Sequence, residues 1–103
     1  MSRSRSFTFT HNNYQNTELE DQIQAKYIIY GKEVGASGTP HLQGFVSFDT
    51  LKSLKQVIAM MPGCHVEVAI APDAAIEYCK KDGAYTERGS YATRKEKGTR
   101  NVS

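Results

Sequence analysis

The sequence is 103 residues long, 39% of them hydrophobic and 23% charged, which is typical of one soluble globular domain and leaves no room for a second hydrophobic core. No apolar run approaches the roughly 18 residues of a transmembrane helix, so a membrane-spanning protein is excluded. The net charge of +2, with basic residues concentrated at both ends, permits an acidic polymer as partner without requiring one.

The N-terminal part predicts a strand followed by a short helix. The N-terminus leads straight into the strand rather than into a signal peptide, so we expect an intracellular protein. Residues 6–11 alternate aromatic or histidine side chains with threonines, which is the period of a strand. Thr17 and Glu20 match a capping box, and the helix that they begin would carry Leu19 and Ile23 inward.

The middle of the chain predicts a β-hairpin. Residues 25–33 contain an unbroken apolar run at 27–30, which indicates a central strand that is buried on both faces. A glycine-rich loop at 35–38 then returns the chain into a third strand at 41–48. The second and third strands are therefore expected to pair side by side.

A second helix is predicted after this hairpin. Asp49 and Thr50 can cap its start, and Pro62 with Gly63 would end it. Its apolar residues follow the helical period and predict a buried face, made of Leu51, Leu54, Val57, Ile58 and Met61.

A fourth strand is predicted at residues 64–71, where apolar and polar residues alternate. One side of this strand would carry Val66, Val68 and Ile70. The two cysteines, Cys64 and Cys79, are too few for a disulfide framework and lack zinc-ligand spacing. We therefore predict that both are reduced, and buried or half-buried.

A third helix completes the pattern. Pro72 suits its first turn and Gly83 its C-terminal cap. Its buried stripe would be Ala75, Ile76 and Cys79, with Tyr78, Lys81 and Asp82 on its flank. Residues 85–89 can add a short edge strand, and residues 90–103 are polar, charged and without period, which predicts a flexible tail.

The element order β-α-β-β-α-β-α predicts an α+β fold, a ferredoxin-like or RRM-like antiparallel sheet of four to five strands. We expect the helices against one face of the sheet and the other face left free. The predicted domain covers residues 1–89.

The third strand and its partner present three candidate metal ligands. Side chains on a strand alternate between faces, so His41 and Gln43 share one face while Leu42 and Val46 face the other. Glu33 would arrive beside them across the hairpin. Carboxylate, imidazole and amide groups suit a hard divalent cation. The same pattern is also compatible with a surface histidine and glutamine on a half-exposed strand.

The third helix can place a phenol and an amine beside this face. A tyrosine has a pKa near 10 and needs a neighbouring cation to act as a nucleophile at neutral pH. Lys81 or a bound metal would supply that charge to Tyr78, and phosphodiester transfer to tyrosine fits the set. The alternatives are a boundary aromatic on an amphipathic helix and a solvated lysine.

Three motifs in order resemble motifs I, II and III of the rolling-circle replication initiators of circoviruses and related small single-stranded DNA viruses, in the HUH endonuclease superfamily. The motifs are Phe9-Thr10-His11-Asn12-Asn13, Pro40-His41-Leu42-Gln43-Gly44 and Glu77-Tyr78-Cys79-Lys80-Lys81-Asp82. Gly31-Lys32-Glu33 and Cys64-His65-Val66-Glu67 extend the resemblance, which spans residues 6 to 89.

The resemblance implies a metal-dependent tyrosine endonuclease that nicks and rejoins DNA. Tyr78 would attack a phosphodiester, keep the 5′ end as a phosphotyrosine and release a 3′-hydroxyl that primes replication. Glu33, His41 and Gln43 would hold Mn²⁺ or Mg²⁺, and Lys81 would assist the tyrosine or contact the phosphate.

The resemblance also implies a DNA partner, single-stranded DNA at a replication-origin stem-loop in the host nucleus. Thr10, Asn12 and Asn13 would help to recognise this DNA together with Lys81. Asp82 would be an extra active-site carboxylate. Family members continue into a C-terminal helicase domain, for which these residues leave no room.

Two positions depart from the superfamily motifs. Gln43 replaces the second histidine of motif II, as in circovirus relatives, which should weaken metal affinity without abolishing it. His11 occupies the variable position of motif I, so we predict no metal role for it.

A different function class is also compatible with the sequence. A ferredoxin-like sheet with exposed aromatic side chains can stack unpaired bases without a metal. Tyr27 and Phe45, with the basic ends, would form such a non-catalytic single-stranded nucleic-acid-binding module, whereas the pairing of Tyr78 with Lys81 beside a metal triad favours the enzyme.

Overall fold

The computed structural model describes residues 3–34, 38–81 and 83–91, and these form one five-stranded sheet with three helices. The strands are β1 (Arg3–Asn12), β2 (Tyr27–Val34), β3 (Pro40–Ser53), β4 (Cys64–Val68) and β5 (Tyr85–Gly89). The helices are α1 (Glu18–Gln22), α2 (Leu54–Met60) and α3 (Pro72–Lys80). The sheet order is β4-β1-β3-β2-β5 with every neighbouring pair antiparallel. The predicted α+β fold is confirmed, and none of these helices is long and apolar enough to cross a membrane.

One face of the sheet carries the larger core. Alternate side chains of β1, β2 and β3, among them Phe9, Ile28 and Val46, pack together on this face. Val57 of α2 and its C-cap residue Met61 are fully buried on this face. Ile23 after α1 is also buried there, as predicted. This face therefore holds the fold together.

The other face of the sheet is not free, so the prediction of helices on one face is wrong. Ile76 and Cys79 of α3 pack on Tyr27, Ile29 and Phe45. The reason lies in β2, where four consecutive apolar residues alternate their side chains between the faces, so both faces need a cover. Here α3 supplies the second cover.

The second residue of the predicted tail, Tyr91, is packed rather than solvated. Tyr91 lies against the rings of Tyr27 and Phe45, with ring centroids 5.8 and 5.3 Å away. Residues 92–103 lie outside the described residues, so the prediction of a flexible segment there stays a prediction.

The predicted start of the second helix is wrong by about one turn, because β3 continues to Ser53. The ladder with β1 extends to Ser53, which pairs with Arg3. Ser53 and Gln56 then form a reciprocal capping box that begins α2. The helix thus starts after Asp49 and Thr50, and Leu51 is half exposed. Of the predicted buried face, Val57 and Met61 are buried, Leu54 is partly buried and Ile58 is 45% exposed.

Two smaller predictions also fail. Thr17 makes no side-chain cap at α1, because its hydroxyl donates to Asp21 Oδ2 instead. The Glu20 carboxylate that would complete the box is buried against His11. The strand β4 ends at Val68, and both Val68 and Ile70 are exposed. Of the three residues predicted on one side of this strand, only Val66 lies in the core.

Candidate active site

The hairpin of β2 and β3 brings the first two candidate ligands into contact. Glu33 and His41 are directly opposite in the antiparallel register. His41 Nε2 lies 2.8 Å from Glu33 Oε1, and both side chains are mostly buried, with 18% and 15% of their surface exposed. Residues in direct cross-strand register have neighbouring side chains, so the pairing is a consequence of the hairpin.

The third candidate, Gln43, lies on the same face as His41 and lines one cleft with Glu33, Tyr78 and Lys81. The Thr10 hydroxyl, from the facing position of β1, donates a hydrogen bond of 3.4 Å to Gln43 Oε1. Thr10 therefore fixes the direction of the amide oxygen. A carbonyl oxygen has two lone pairs, so one remains for a cation.

The helix α3 places a phenol and an amine above Glu33. Because Ile76 and Cys79 are buried against the sheet, Tyr78 falls on the flank of the helix, with 44% of its surface exposed. Its hydroxyl donates to Glu33 Oε1 over 3.3 Å. Lys81 Nζ lies 2.6 Å from Glu33 Oε2 and 3.9 Å from the centre of the Tyr78 ring. The predicted neighbourhood of Tyr78 and Lys81 is thus present.

A glycine on β2 allows α3 to come this close. A Cβ built on Gly31 would lie 2.6 Å from the backbone oxygen of Cys79, closer than atoms in van der Waals contact. The Cys79 thiol also donates a hydrogen bond of 3.4 Å to the backbone oxygen of Gln43. Both contacts tie the end of α3, and with it Tyr78, to the face of the sheet that carries Glu33 and Gln43.

The charges of the site stabilise one another. The Lys81 ammonium, followed by hydrogen bonds from His41 and Tyr78, holds the pKa of Glu33 below its ordinary value despite burial. In return, Glu33 raises the pKa of Lys81. At neutral pH the site therefore contains a carboxylate anion and a lysine cation next to a phenol.

The predicted DNA-binding residues lie at the edge of this cluster. Asn12 is exposed and faces His41 in the β1 to β3 register. Asn13 is exposed, has a positive φ of 53°, and its backbone N–H donates to the Pro40 carbonyl over 2.9 Å. This contact turns the chain at the end of β1. The predicted extra carboxylate, Asp82, lies outside the described residues.

Sequence reasoning missed a second group of ligand-type side chains. His11, Glu20 and Cys64 have one ligand atom each within 4.8 Å of one another, an arrangement that could hold a metal ion. They belong to the opposite face of the sheet from Gln43. Nothing in their spacing along the chain indicates a site, because they come together only through the fold.

Comparison with known proteins shows the family. The model of the family described as "Putative viral replication protein" matches residues 4–82. This range includes every candidate site residue. The chain belongs to this viral replication protein family. This confirms the resemblance found in the sequence motifs.

Three curated relatives of the chain are also replication proteins, which supports the family assignment. The chain is 39% identical over 85 residues to the "Replication-associated protein" of Beak and feather disease virus, covering 77% of this chain and 29% of that protein. It is 38% identical over 86 residues to the protein of the same name from Pigeon circovirus, covering 78% and 27%. The "Master replication protein" of Banana bunchy top virus is 37% identical over 70 residues, covering 67% and 24%. The chain thus spans less than a third of the length of these relatives.

Proposed function

We propose that this chain nicks and rejoins single-stranded DNA at a viral replication origin, with Tyr78 as the nucleophile. One observation carries the proposal, namely that the exposed Tyr78 donates its hydroxyl to Glu33 and has the Lys81 ammonium over its ring. Glu33 in turn contacts both Lys81 and His41. A sheet that only binds DNA has no need of such a group.

In the proposed step, the Tyr78 hydroxyl gives its proton to water as its oxygen attacks the phosphorus of a DNA phosphodiester. The bond from phosphorus to the 3′ oxygen breaks, and that oxygen takes a proton and leaves as a 3′-hydroxyl. The 5′ phosphate remains on the tyrosine as a phosphotyrosine. A later attack by a 3′-hydroxyl on this ester reverses the step and rejoins the strand.

Lys81 is suited to stabilise the charge that develops in this step. Its ammonium lies 3.9 Å from the Tyr78 ring centre, and its raised pKa keeps it cationic at neutral pH. A positive charge in this place favours the phenolate and the additional negative charge on the phosphoryl oxygens. Because it stays protonated, Lys81 is proposed as the electrostatic partner of Tyr78 rather than as its general base.

The donor set fits a hard divalent cation, Mn²⁺ or Mg²⁺. Glu33 offers a carboxylate that its lowered pKa keeps ionised, His41 lies in contact with it, and Gln43 presents an oriented amide oxygen in the same cleft. Oxygen and imidazole ligands suit such ions. When bound, the cation would polarise a phosphoryl oxygen of the DNA.

The proposed partner is single-stranded DNA of an origin stem-loop, with the host nucleus as the predicted setting. Family membership supports a replication partner, and the exposed Asn12 and Asn13 beside His41 are placed to contact it. The non-catalytic alternative depended on Tyr27 and Phe45 as exposed stacking surfaces. Both are buried under α3 and Tyr91, so this alternative is disfavoured. The resemblance to rolling-circle initiators implies a C-terminal helicase domain in a longer protein, and this domain stays a prediction.

The direct test is incubation of the chain with Mn²⁺ and a labelled single-stranded origin oligonucleotide of a circovirus. We expect a labelled protein band that resists denaturation, and a shortened strand with a free 3′-hydroxyl. The proposal would be refuted if the protein bound both Mn²⁺ and the labelled DNA in the same buffer and the DNA was never cut.

The first prediction concerns the neutral ligand. Gln43→His should tighten Mn²⁺ binding by about 10-fold, because imidazole is the better ligand for transition metals. Gln43→Ala should weaken it, since an amide oxygen is lost. Calorimetric titration of both variants measures the difference, and equal Mn²⁺ affinity in all three proteins would remove Gln43 from the ligand set.

The second prediction concerns the close approach of α3. Gly31→Ala forces a methyl group against the Cys79 backbone, so the end of the helix must move or the protein loses about 1–3 kcal/mol of stability. We expect slower adduct formation together with lower urea resistance. Lys32→Ala, at the exposed neighbouring position, is the control. Unchanged stability and unchanged adduct formation in Gly31→Ala would show that this contact does not position Tyr78.

A further inference from the structure

We propose that His11, Glu20 and Cys64 form a second metal site, specific for Zn²⁺ or a similar borderline cation and distinct from the proposed nicking site. His11 Nδ1 lies 2.8 Å from Glu20 Oε2, and Cys64 Sγ lies 3.9 Å from the same oxygen. The site joins three elements, since His11 is on β1, Glu20 on α1 and Cys64 at the start of β4.

The register of the sheet builds this group. His11 and Cys64 are directly opposite in the antiparallel pairing of β1 with β4, so their side chains are neighbours. The short helix α1 then lays Glu20 across this pair. Arg88 fixes the helix there, because its guanidinium donates a hydrogen bond of 2.7 Å to the Glu20 backbone carbonyl.

Glu20 supplies the observation that points to a ligand. Its side chain is fully buried, and among the described residues its Oε1 has no hydrogen-bond partner. A buried carboxylate oxygen without a partner is costly, on the order of 1–3 kcal/mol or more for a charged group. His11 and Cys64 both approach Oε2, so Oε1 is left over. A cation bound to the carboxylate would compensate for the missing partner.

The distances and charges suit a tetrahedral zinc site. With bonds of about 2.0–2.3 Å, neighbouring ligand atoms lie about 3.3–3.7 Å apart, so the His11 and Glu20 atoms need to separate by less than 1 Å. The Cys64 thiol proton would pass to solvent as the sulfur binds the cation. One carboxylate and one thiolate then neutralise the divalent charge, and sulfur selects Zn²⁺ over Mg²⁺.

Such a site would connect metal occupancy with the DNA-binding end of β1. His11 is followed directly by Asn12, whose side chain faces the opposite side of the sheet, beside His41. The helix α1 has only five residues, too few to be stable alone. A cation that binds α1 to β1 and β4 would therefore stabilise this corner of the fold.

The test uses Co²⁺ as a spectroscopic probe in the full chain. The wild-type protein should bind Co²⁺ with a thiolate-to-cobalt charge-transfer band, and an equimolar amount of Zn²⁺ should remove this band. Cys64→Ser should lose the band, and His11→Gln should weaken Co²⁺ binding at this site at least 10-fold. Two matched controls should keep the charge-transfer band, namely Cys79→Ser on the other face and His41→Ala in the proposed nicking site.

Three results would overturn the proposal. The first is the absence of the band in the wild-type protein. This result does not depend on the folding of any variant. The second is a band that survives in Cys64→Ser, and the third is a band that disappears in His41→Ala. Because Tyr78→Phe should leave the band unchanged, failure of this site and failure of the proposed nicking activity are distinguishable.

Discussion

Tyr78→Phe will abolish DNA cleavage and the covalent adduct together, while metal binding and DNA binding persist. The substitution removes one oxygen from a side chain that is 44% exposed, so the free energy of unfolding should change by less than about 0.5 kcal/mol. Loss of a nucleophile removes the only route through a phosphotyrosine, and the cleavage rate should fall by at least about 10⁴-fold. Denaturing gels with a labelled strand measure both products.

Tyr85→Phe is the matched control for this experiment. Tyr85 is exposed to a similar degree, 41%, and also has a lysine near its ring, with Lys80 Nζ 5.8 Å from the ring centre. Tyr85 lies on β5, and the Tyr85→Phe variant should cleave DNA at the wild-type rate. A fully active Tyr78→Phe variant that leaves a free 5′-phosphate on its product would instead indicate attack by water.

Glu33→Gln should slow cleavage by at least about 10²-fold. The substitution keeps the shape of the side chain but removes the charge that contacts His41, Lys81 and Tyr78. Mn²⁺ affinity should fall, and a large excess of Mn²⁺ should restore part of the rate. Calorimetry for Mn²⁺ and single-turnover cleavage measure the two effects.

The pH dependence of the wild-type protein follows from the same carboxylate. Lys81 holds the pKa of Glu33 below its ordinary value, so Glu33 stays ionised above that lowered pKa. The stability that it contributes is complete above the unfolded pKa and is lost as the pH falls through the folded one. The Glu33 contribution to Mn²⁺ affinity should likewise be lost as the pH falls through the folded pKa of Glu33. The Glu33→Gln variant should lack this part of the pH dependence.

Glu67→Gln provides the matched control for Glu33. Glu67 also lies 2.8 Å from a histidine, His65, but the pair is exposed and on β4, at the far edge of the sheet from β2. It should change neither Mn²⁺ affinity nor the cleavage rate. Equal effects of both substitutions would mean that loss of a negative charge anywhere on the surface explains the result.

Local patterns predicted the sheet and the hairpin because each depends on neighbours in sequence. The strand period placed His41 and Gln43 on one face, and the hairpin register brought Glu33 to His41. The sequence also predicted that α3 lies beside this face, but not that the helix covers it. Its burial depends on β2 having apolar residues on both faces, and the helix that covers the second face is chosen by the tertiary packing.

The wrong start of α2 has a similar cause. Asp49 and Thr50 are suitable caps, but the pairing of β1 with the end of β3 continues past them. Competition between a local cap and a long-range strand pairing cannot be decided from local sequence. The cap that is used, Ser53 with Gln56, was present in the sequence four residues later.

The group of His11, Glu20 and Cys64 was beyond sequence reasoning for another reason. Zinc sites are recognised from closely spaced ligands, whereas Cys64 is a single cysteine far along the chain from its two partners. The sequence pattern also predicts a capping-box role for Glu20, which is a role for an exposed residue. Only the register of β1 with β4 and the burial of Glu20 reveal the group.

The central claim is that Tyr78 becomes covalently attached to DNA. The most direct measurement is mass spectrometry of the protein after reaction with Mn²⁺ and a single-stranded origin oligonucleotide, followed by digestion with protease and nuclease. The proposed mechanism predicts one modified peptide, with a nucleotide joined through its 5′ phosphate to Tyr78. A nucleotide on any other residue, or cut DNA without a modified peptide, would contradict it.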